Sequence, residues 1–147
     1  MIVSTHLARH AYRIYVVEDS AILLRLLLEM LGGIDGASIV GYSGSADEAV
    51  SEIADSAPDA VIVDLMLQSG TGYDVLSALA REGKRPPLAI VLTNFAMFPH
   101  RERSTELGAA YFFDKSTEIV EMFRVMNRLV EEHSRLAMAQ SPAQNRT

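Results

Sequence analysis

The chain contains no cysteine, and acidic residues outnumber basic ones. Without cysteine it can form neither a disulfide framework nor a thiolate metal site, and this composition fits a reducing compartment. The formal net charge is -6 at pH 7, so the basic surface expected of a nucleic-acid-binding domain is missing. We therefore expect a cytoplasmic protein that binds no nucleic acid.

Long hydrophobic segments are missing as well. The longest one, Ala21 to Leu31, is interrupted by Arg25 and Glu29 and has about half the length that a transmembrane helix needs. The N-terminus has no continuous apolar segment of the signal-peptide type. We expect one domain over residues 12–136 without membrane association, an irregular leader over 1–11 and a disordered tail over 137–147.

The sequence does contain a regular alternation of short apolar runs and helical patterns. Ser45, followed three residues later by Glu48, is a capping-box pattern that begins the second predicted helix. Five strand–helix units with short connections predict an α/β fold, a doubly wound parallel sheet with helices on both faces. Strands are predicted over about 12–17, 38–42, 60–63, 88–93 and 111–114, and helices over 21–31, 45–56, 73–82, 99–107 and 117–136.

Four of the apolar runs lead directly into residues with chemical function. Asp64 follows a run that reads as a strand buried on both faces, where a carboxylate has no structural use. The carboxyl ends of parallel strands share one edge of the sheet, where α/β folds place their chemistry. Three acids, a hydroxyl and an amine would meet there, a combination that suits a metal-assisted reaction of a carboxylate with phosphate. These residues are Glu18, Asp19, Asp64, Thr93 and Lys115.

As a set, these motifs resemble the receiver domain of two-component response regulators. The resemblance covers roughly residues 12–135 and implies a flavodoxin-like sheet with strand order 2-1-3-4-5, flanked by five helices. The motifs that carry it are Glu18-Asp19, Asp64 within Val-Ile-Val-Asp-Leu-Met-Leu, Gly70-Thr71-Gly72, Thr93, and Gly108-Ala109 leading to Lys115.

The resemblance also implies a reaction. Asp64 would accept a phosphoryl group from a histidine kinase or a histidine phosphotransfer protein, and Thr93 and Lys115 would bind the phosphoryl oxygens. Such a protein catalyses its own phosphorylation and dephosphorylation rather than the turnover of a separate substrate. The implied cofactor is Mg²⁺, or Mn²⁺ in its place, held by Glu18, Asp19, Asp64 and the backbone carbonyl of Met66.

Several positions depart from the commonest receiver pattern. Phe112 occupies the position of the aromatic switch that works with Thr93, and without a hydroxyl its rotation would be sensed by packing alone. Met66 and Phe95 occupy positions that tune the phosphoryl lifetime, and as apolar residues they predict slow self-hydrolysis. Ser116 follows Lys115 where many receivers have a cis proline, which leaves the isomer of that peptide bond open.

Two helices predict contacts with partners. In the first helix, Leu23, Leu26, Leu27, Met30 and Leu31 are expected to face the sheet. Ile22, Leu24 and Leu28 are then left on the outer side, where the histidine-bearing helices of a kinase dock in the receiver family. The last helix has an apolar band wide enough to cover the sheet and also to form a homodimer together with the helix around Arg101–Glu106.

Other functions stay open at this stage. A receiver-like module that binds partners without being phosphorylated would share the fold but not need the complete set of polar residues. A phosphatase of the haloacid-dehalogenase type would need a second aspartate where Met66 stands. A nucleotide- or flavin-binding domain of similar topology would need a glycine-rich phosphate loop, and none follows the first strand. Because only eleven residues follow Leu136, we expect a stand-alone receiver that signals by protein contact or phosphorelay to an unknown downstream protein.

Overall fold

The protein is described by a computed structural model that covers residues 11–82 and 85–140. Five parallel strands form one sheet in the order β2-β1-β3-β4-β5, which confirms the predicted fold class and strand order. The strands are β1 (Tyr12–Val17), β2 (Ala37–Ser43), β3 (Ala60–Val63), β4 (Leu88–Thr93) and β5 (Ala109–Asp114). The helices are α1 (Ala21–Gly32), α2 (Ala46–Ser56), α3 (Gly72–Arg81), α4 (Phe98–Glu106) and α5 (Ile119–Gln140).

The central strands are apolar throughout because both of their faces are covered. Every residue of β3 is buried, and alternate side chains enter different cores. Ile62 packs in the core that α1 and α5 cover, whereas Val61 and Val63 pack in the core beneath α2 and α3. The parallel register pairs Val17 with Val63, so β1 and β3 end at the same level of the sheet.

Two predicted helix ends differ from the structure. Helix α5 continues to Gln140, so the tail predicted to be disordered begins as helix over residues 137–140. These residues are Ala, Met, Ala and Gln, all good helix formers. Ser45 precedes α2 but its side chain makes no capping hydrogen bond, so the predicted Ser45–Glu48 capping box does not form. The predicted leader and the end of the tail lie in residues 1–10 and 141–147, outside the described residues.

A capping box does form at α3, which begins at Gly72, one residue before its predicted start. The Thr71 hydroxyl accepts a hydrogen bond from the Asp74 amide, and the Asp74 carboxylate accepts one from the Thr71 amide. Two backbone amides at the start of the helix are thereby satisfied. The Gly70-Thr71-Gly72 segment therefore fixes where α3 begins.

The exposed apolar residues of α1 are not the ones that were predicted. Leu24 and Leu28 are partly buried and pack against the core that α1 covers. Leu26, which was predicted to face the sheet, is 43% exposed. Ile22 at the start of the helix is 87% exposed, as predicted.

Helix α5 buries one face and leaves another open. Met122, Met126 and Val130 are buried in the core, and Val120 on the same helix is 62% exposed. Among the described helices, none is both long and apolar enough to cross a bilayer.

Candidate functional site

Three carboxylates meet at the carboxyl edge of the sheet. Glu18 and Asp19 directly follow β1, and Asp64 directly follows β3, the strand beside it. One oxygen from each carboxylate lies within 4.8 Å of the others. Glu18 and Asp64 are buried, whereas Asp19 is exposed and faces solvent. Carboxylate oxygens are the ligands that hard divalent cations prefer, so these three residues fit the predicted Mg²⁺.

Backbone hydrogen bonds hold Asp64 in this position. The Asp64 amide donates to the Val17 carbonyl at 3.0 Å and thus continues the pairing of β3 with β1 past the last strand residue. The Met66 amide donates to Asp64 Oδ1 at 3.3 Å. The carboxylate therefore lies beside Glu18 because its own strand ends level with β1.

Lys115 supplies the positive charge of the site. Its ammonium lies 2.6 Å from Asp64 Oδ2 and 2.7 Å from Glu18 Oε1, and its side chain is only 9% exposed. Its backbone amide donates to the Thr93 carbonyl at 2.9 Å, which carries the β4–β5 pairing into the site. One lysine thus bridges the two buried carboxylates.

Burial and neighbouring charges shift the pKa values of Glu18 and Lys115 in opposite directions. Burial raises the pKa of the Glu18 carboxyl, and hydrogen bonds from Lys115 and the Ser20 amide only partly offset it. Burial lowers the pKa of the Lys115 ammonium, but the Asp64 and Glu18 carboxylates outweigh it, and the pKa lies above its ordinary value. The lysine therefore stays charged at neutral pH.

Thr93 ends β4 and is completely buried. Its Oγ1 accepts a hydrogen bond from the Phe95 amide at 3.2 Å. This bond occupies an acceptor site and leaves the hydroxyl hydrogen free to donate to another group. Strands β3 and β4 are neighbours in the sheet, so Thr93 at the end of β4 lies on the strand next to the one that Asp64 follows.

The other predicted site residues lie in the loops after β3 and β4, near the end of β5 and on α1. Phe112 is buried near the end of β5, and Met66 and Phe95 are 52% and 41% exposed in the loops after β3 and β4. The Lys115–Ser116 peptide bond is trans. Ile22 is exposed at the start of α1, close in sequence to Glu18 and Asp19. Leu24 and Leu28 line a shallow groove with Tyr42 of β2.

Gly72 is a structural residue of the site to which the sequence reading gave no role of its own. A Cβ atom on Gly72 would overlap the Asp64 carbonyl oxygen and come within 2.8 Å of Leu65 Cα. The Gly72 amide donates to the Leu65 carbonyl at 2.9 Å. The start of α3 can therefore lie directly on the backbone of Asp64 only because residue 72 lacks a side chain. Its place in the Gly70-Thr71-Gly72 motif was the sequence feature that could have indicated this role.

Three further side chains near the site were missed. Tyr73 of α3 and His100 of α4 share a hydrogen bond, and Arg101 of α4 lies over the Phe112 ring. No local sequence pattern indicates these contacts, because each joins residues from different strand–helix units.

Comparisons with known proteins agree with this geometry. Residues 14–127 match the family model described as the response regulator receiver domain. The chain is 34% identical over 110 residues to the transcriptional regulatory protein PdtaR of Mycobacterium tuberculosis, a match that covers 75% of this chain and 52% of PdtaR. It is 32% identical over 107 residues to a protein-glutamate methylesterase/protein-glutamine glutaminase of Myxococcus xanthus, covering 73% of this chain and 31% of the relative.

The chain therefore spans about half or less of the length of these curated relatives. The response regulator domain of Thermotoga maritima CheB has the same fold, with a TM-score of 0.69 and 22% identity over 86% of this chain and 96% of that one. The family match covers most of the chain, including the strand ends that carry Glu18, Asp64, Thr93 and Lys115. The chain belongs to the response regulator receiver domain family.

Proposed function

We propose that Asp64 accepts a phosphoryl group from a phosphohistidine of a histidine kinase or a histidine phosphotransfer protein. An oxygen of the Asp64 carboxylate forms the new bond to phosphorus while the phosphorus–nitrogen bond of the donor breaks, and the imidazole takes up a proton. The observation that carries this proposal is the arrangement of Asp64 among Glu18, Asp19 and Lys115, with its carboxylate in contact with the lysine ammonium.

The protein's contribution is position and charge. Two anions repel each other, so a carboxylate attacks a phosphoryl group only where positive charge offsets the repulsion. The Lys115 ammonium already touches the Asp64 carboxylate and can pair with a phosphoryl oxygen as a point charge. The Thr93 oxygen accepts from the Phe95 amide, so the hydroxyl hydrogen can be donated to another phosphoryl oxygen.

Glu18, Asp19, Asp64 and the Met66 carbonyl are the proposed ligands of Mg²⁺, with Mn²⁺ as a substitute. The three carboxylates close to one another support this assignment. When bound, the cation supplies the charge that neutralises the acidic residues and the incoming phosphoryl group. Asp19 is the exposed member and would bind the ion directly, and the buried Glu18 would act through water.

The proposed docking site for the donor protein is the start of α1. Ile22 is highly exposed there, and Leu24 and Leu28 line a groove with Tyr42. Since Leu24 and Leu28 also pack against the core, Ile22 is the member of the predicted set most available for contact. Downstream signalling, by contact with another protein, by phosphorelay or through a homodimer that uses α4 and α5, is a further part of the proposal.

Met66 and Phe95 are proposed to lengthen the life of the acyl phosphate. Each is apolar and lies two residues beyond a residue of the reaction centre, Asp64 and Thr93 respectively. Apolar side chains beside the acyl phosphate reduce the access of the water that hydrolyses it. A lifetime of seconds in the purified protein would contradict this part of the proposal.

Intact-protein mass spectrometry after incubation with acetyl phosphate and Mg²⁺ tests the main proposal. We expect the wild type to gain one phosphoryl group and Asp64→Asn to gain none. Asp55→Asn is the matched control, because Asp55 is an exposed aspartate of α2 outside the site. No adduct on the wild type would favour an interaction module that works without phosphorylation.

A further inference from the structure

A cluster of four side chains joins α3 to α4 beside the proposed reaction centre. Tyr73 Oη and His100 Nδ1 lie 2.6 Å apart in a hydrogen bond, and their rings are stacked with centroids 6.2 Å apart. The Arg103 guanidinium carbon lies 4.1 Å from the centroid of the Tyr73 ring. The Phe95 ring meets the His100 ring edge to face, with centroids 6.0 Å apart. We call these four residues the Tyr73 cluster.

The cluster is connected to Thr93 through Phe95. The Phe95 side chain packs on His100, and the Phe95 amide donates to Thr93 Oγ1 at 3.2 Å. That amide determines how the threonine hydroxyl is oriented, since the oxygen accepts from it and the hydroxyl hydrogen must point elsewhere. A shift of Phe95 would therefore change the direction in which Thr93 donates.

The cluster is also connected to Asp64. Tyr73 directly follows Gly72, which lies against the backbone of Asp64 and Leu65. Tyr73 is therefore anchored to the loop that carries the proposed phosphoryl acceptor. His100 is hydrogen-bonded to Tyr73 and packs on Phe95, so it connects the loop after β3 with the loop after β4.

The first turn of α4 is held by side-chain contacts rather than by a cap or by burial. Its N-cap residue, Met97, makes no side-chain capping hydrogen bond, and Met97 and Phe98 are 67% and 74% exposed. Its one buried residue is Ser104, near the other end of the helix. The side chains of His100, through Tyr73 and Phe95, and of Arg101, through Phe112, hold the beginning of α4 in place, and the His100 side chain is the one that reaches Phe95.

We propose that Tyr73 and His100 are positioning residues for phosphoryl transfer. Their hydrogen bond fixes Phe95, and the Phe95 amide in turn keeps the Thr93 hydroxyl directed at the phosphoryl group. This inference rests on the proposed function for its effect on the reaction, but the fixing of Phe95 can be measured in the unmodified protein.

The test uses Tyr73→Phe, His100→Phe and the double variant, which remove the hydrogen bond and keep aromatic rings. With acetyl phosphate and Mg²⁺, we expect each to accept phosphoryl groups about 3- to 10-fold more slowly than the wild type, the range for one lost hydrogen bond. The double variant should be no slower than the singles. In a Thr93→Val background, Tyr73→Phe should have no further effect, because the hydroxyl that it positions is gone.

Tyr111→Phe is the matched control. This substitution also removes a tyrosine hydroxyl, which accepts a hydrogen bond from Arg128 of α5 at 3.1 Å. The variant should accept phosphoryl groups at the wild-type rate. Equal rates for wild type and Tyr73→Phe would overturn the proposal. So would an undiminished effect of Tyr73→Phe in the Thr93→Val background, since the tyrosine would then act by another route.

Hydrogen exchange of the Phe95 amide, followed by NMR without any phosphodonor, separates the positioning of Phe95 from its effect on phosphoryl transfer. Tyr73→Phe and His100→Phe should exchange this amide several-fold faster than wild type and Tyr111→Phe. Unchanged exchange would overturn the positioning role. If the wild type forms no acyl phosphate while Phe95 exchange rises in the variants, the proposed function fails and the positioning of Phe95 stands.

Discussion

The guanidinium carbon of Arg101 lies 4.6 Å from the centroid of the Phe112 ring. Arg101 Nη1 also donates to the Phe112 carbonyl at 3.4 Å, and Nη2 lies 3.7 Å from Glu118 Oε1 in the loop after β5. The ring of Phe112, whose rotation is predicted to be sensed by packing, is covered by a cation from α4. A movement of Phe112 would therefore also move a charged group at the surface of α4.

Replacing Arg101 by lysine should loosen Phe112 while preserving the charge. Lysine lacks the planar group that stacks on the ring and donates to the backbone carbonyl, so we expect a loss of about 0.5–1 kcal/mol in the free energy of unfolding. Urea denaturation measures this. Arg124→Lys, at an exposed ion pair with Glu121 on α5, is the control and should change stability less. Equal losses in both variants would mean that the ring contact contributes nothing.

Gly72→Ala should damage the site from the backbone. The added Cβ would overlap the Asp64 carbonyl oxygen and approach Leu65, so α3 must move away from the sheet. We expect a loss of about 1–3 kcal/mol in stability and slower phosphoryl acceptance. Gly32→Ala is the matched control, because a Cβ there meets no atom within 4 Å and the residue is helical. If Gly72→Ala kept wild-type stability, the close contact would not constrain the loop.

Ser104→Ala should maintain or increase stability. Ser104 is completely buried, and its hydroxyl has no hydrogen-bond partner within the part of the chain that the structure describes. Removing an unsatisfied buried hydroxyl should stabilise by about 1 kcal/mol. Ser56→Ala, where the hydroxyl donates to the Glu52 carbonyl at 2.7 Å, should be neutral or destabilising. Thermal denaturation of the two variants gives the comparison, and a clear loss for Ser104→Ala would contradict the prediction.

Lys115→Met should separate metal binding from phosphoryl transfer. The ammonium now touches Asp64 and Glu18, two of the proposed Mg²⁺ ligands, and repels an incoming cation. Its removal should tighten Mg²⁺ binding about tenfold, which corresponds to about 1.4 kcal/mol. Phosphoryl acceptance should nevertheless fall, because a counter-charge is lost. Calorimetric titration measures the Mg²⁺ affinity, and Arg124→Met controls for the change in net charge. Weaker Mg²⁺ binding in Lys115→Met would be inconsistent with the proposed site.

Ile22→Glu should weaken transfer from protein donors only. Ile22 is highly exposed, so a glutamate there should not disturb the core, yet it would place a charge in the proposed docking surface. We expect an order of magnitude slower transfer from a phosphorylated histidine protein and unchanged labelling by acetyl phosphate. Val120→Glu, at an exposed position of α5, is the matched control. Equal loss with both donors would argue against docking at α1.

The α/β fold class and the meeting of polar residues at the strand ends were predictable because they depend on local patterns repeated along the chain, and the strand order was implied by the resemblance to receiver domains. Apolar runs that lead into Glu18, Asp64 and Lys115 gave the strands and the sheet edge at which these residues meet. The exposure of α1 was predicted less well. Helical spacing alone put Leu26 inside and Leu24 outside, whereas the position of α1 over the sheet leaves Leu26 exposed and partly buries Leu24.

Helix ends were predictable only in part. The pattern of Ser45 and Glu48 suggested a capping box that does not form, and Thr71 with Asp74 forms one that was not predicted. Side chains of this kind can cap a helix or bond elsewhere, and the surrounding backbone decides between these alternatives.

The sequence by itself determined that Asp64 would end a buried strand in an acidic, cysteine-free α/β domain, because strand-forming runs and the residues after them are encoded locally. Only the tertiary structure decided what surrounds that strand end. The Lys115 bridge to Glu18, the Gly72 backbone against Asp64, the Tyr73–His100 hydrogen bond and Arg101 over Phe112 each join distant strand–helix units. Such contacts depend on the distance and angle between packed elements, which no single stretch of sequence specifies.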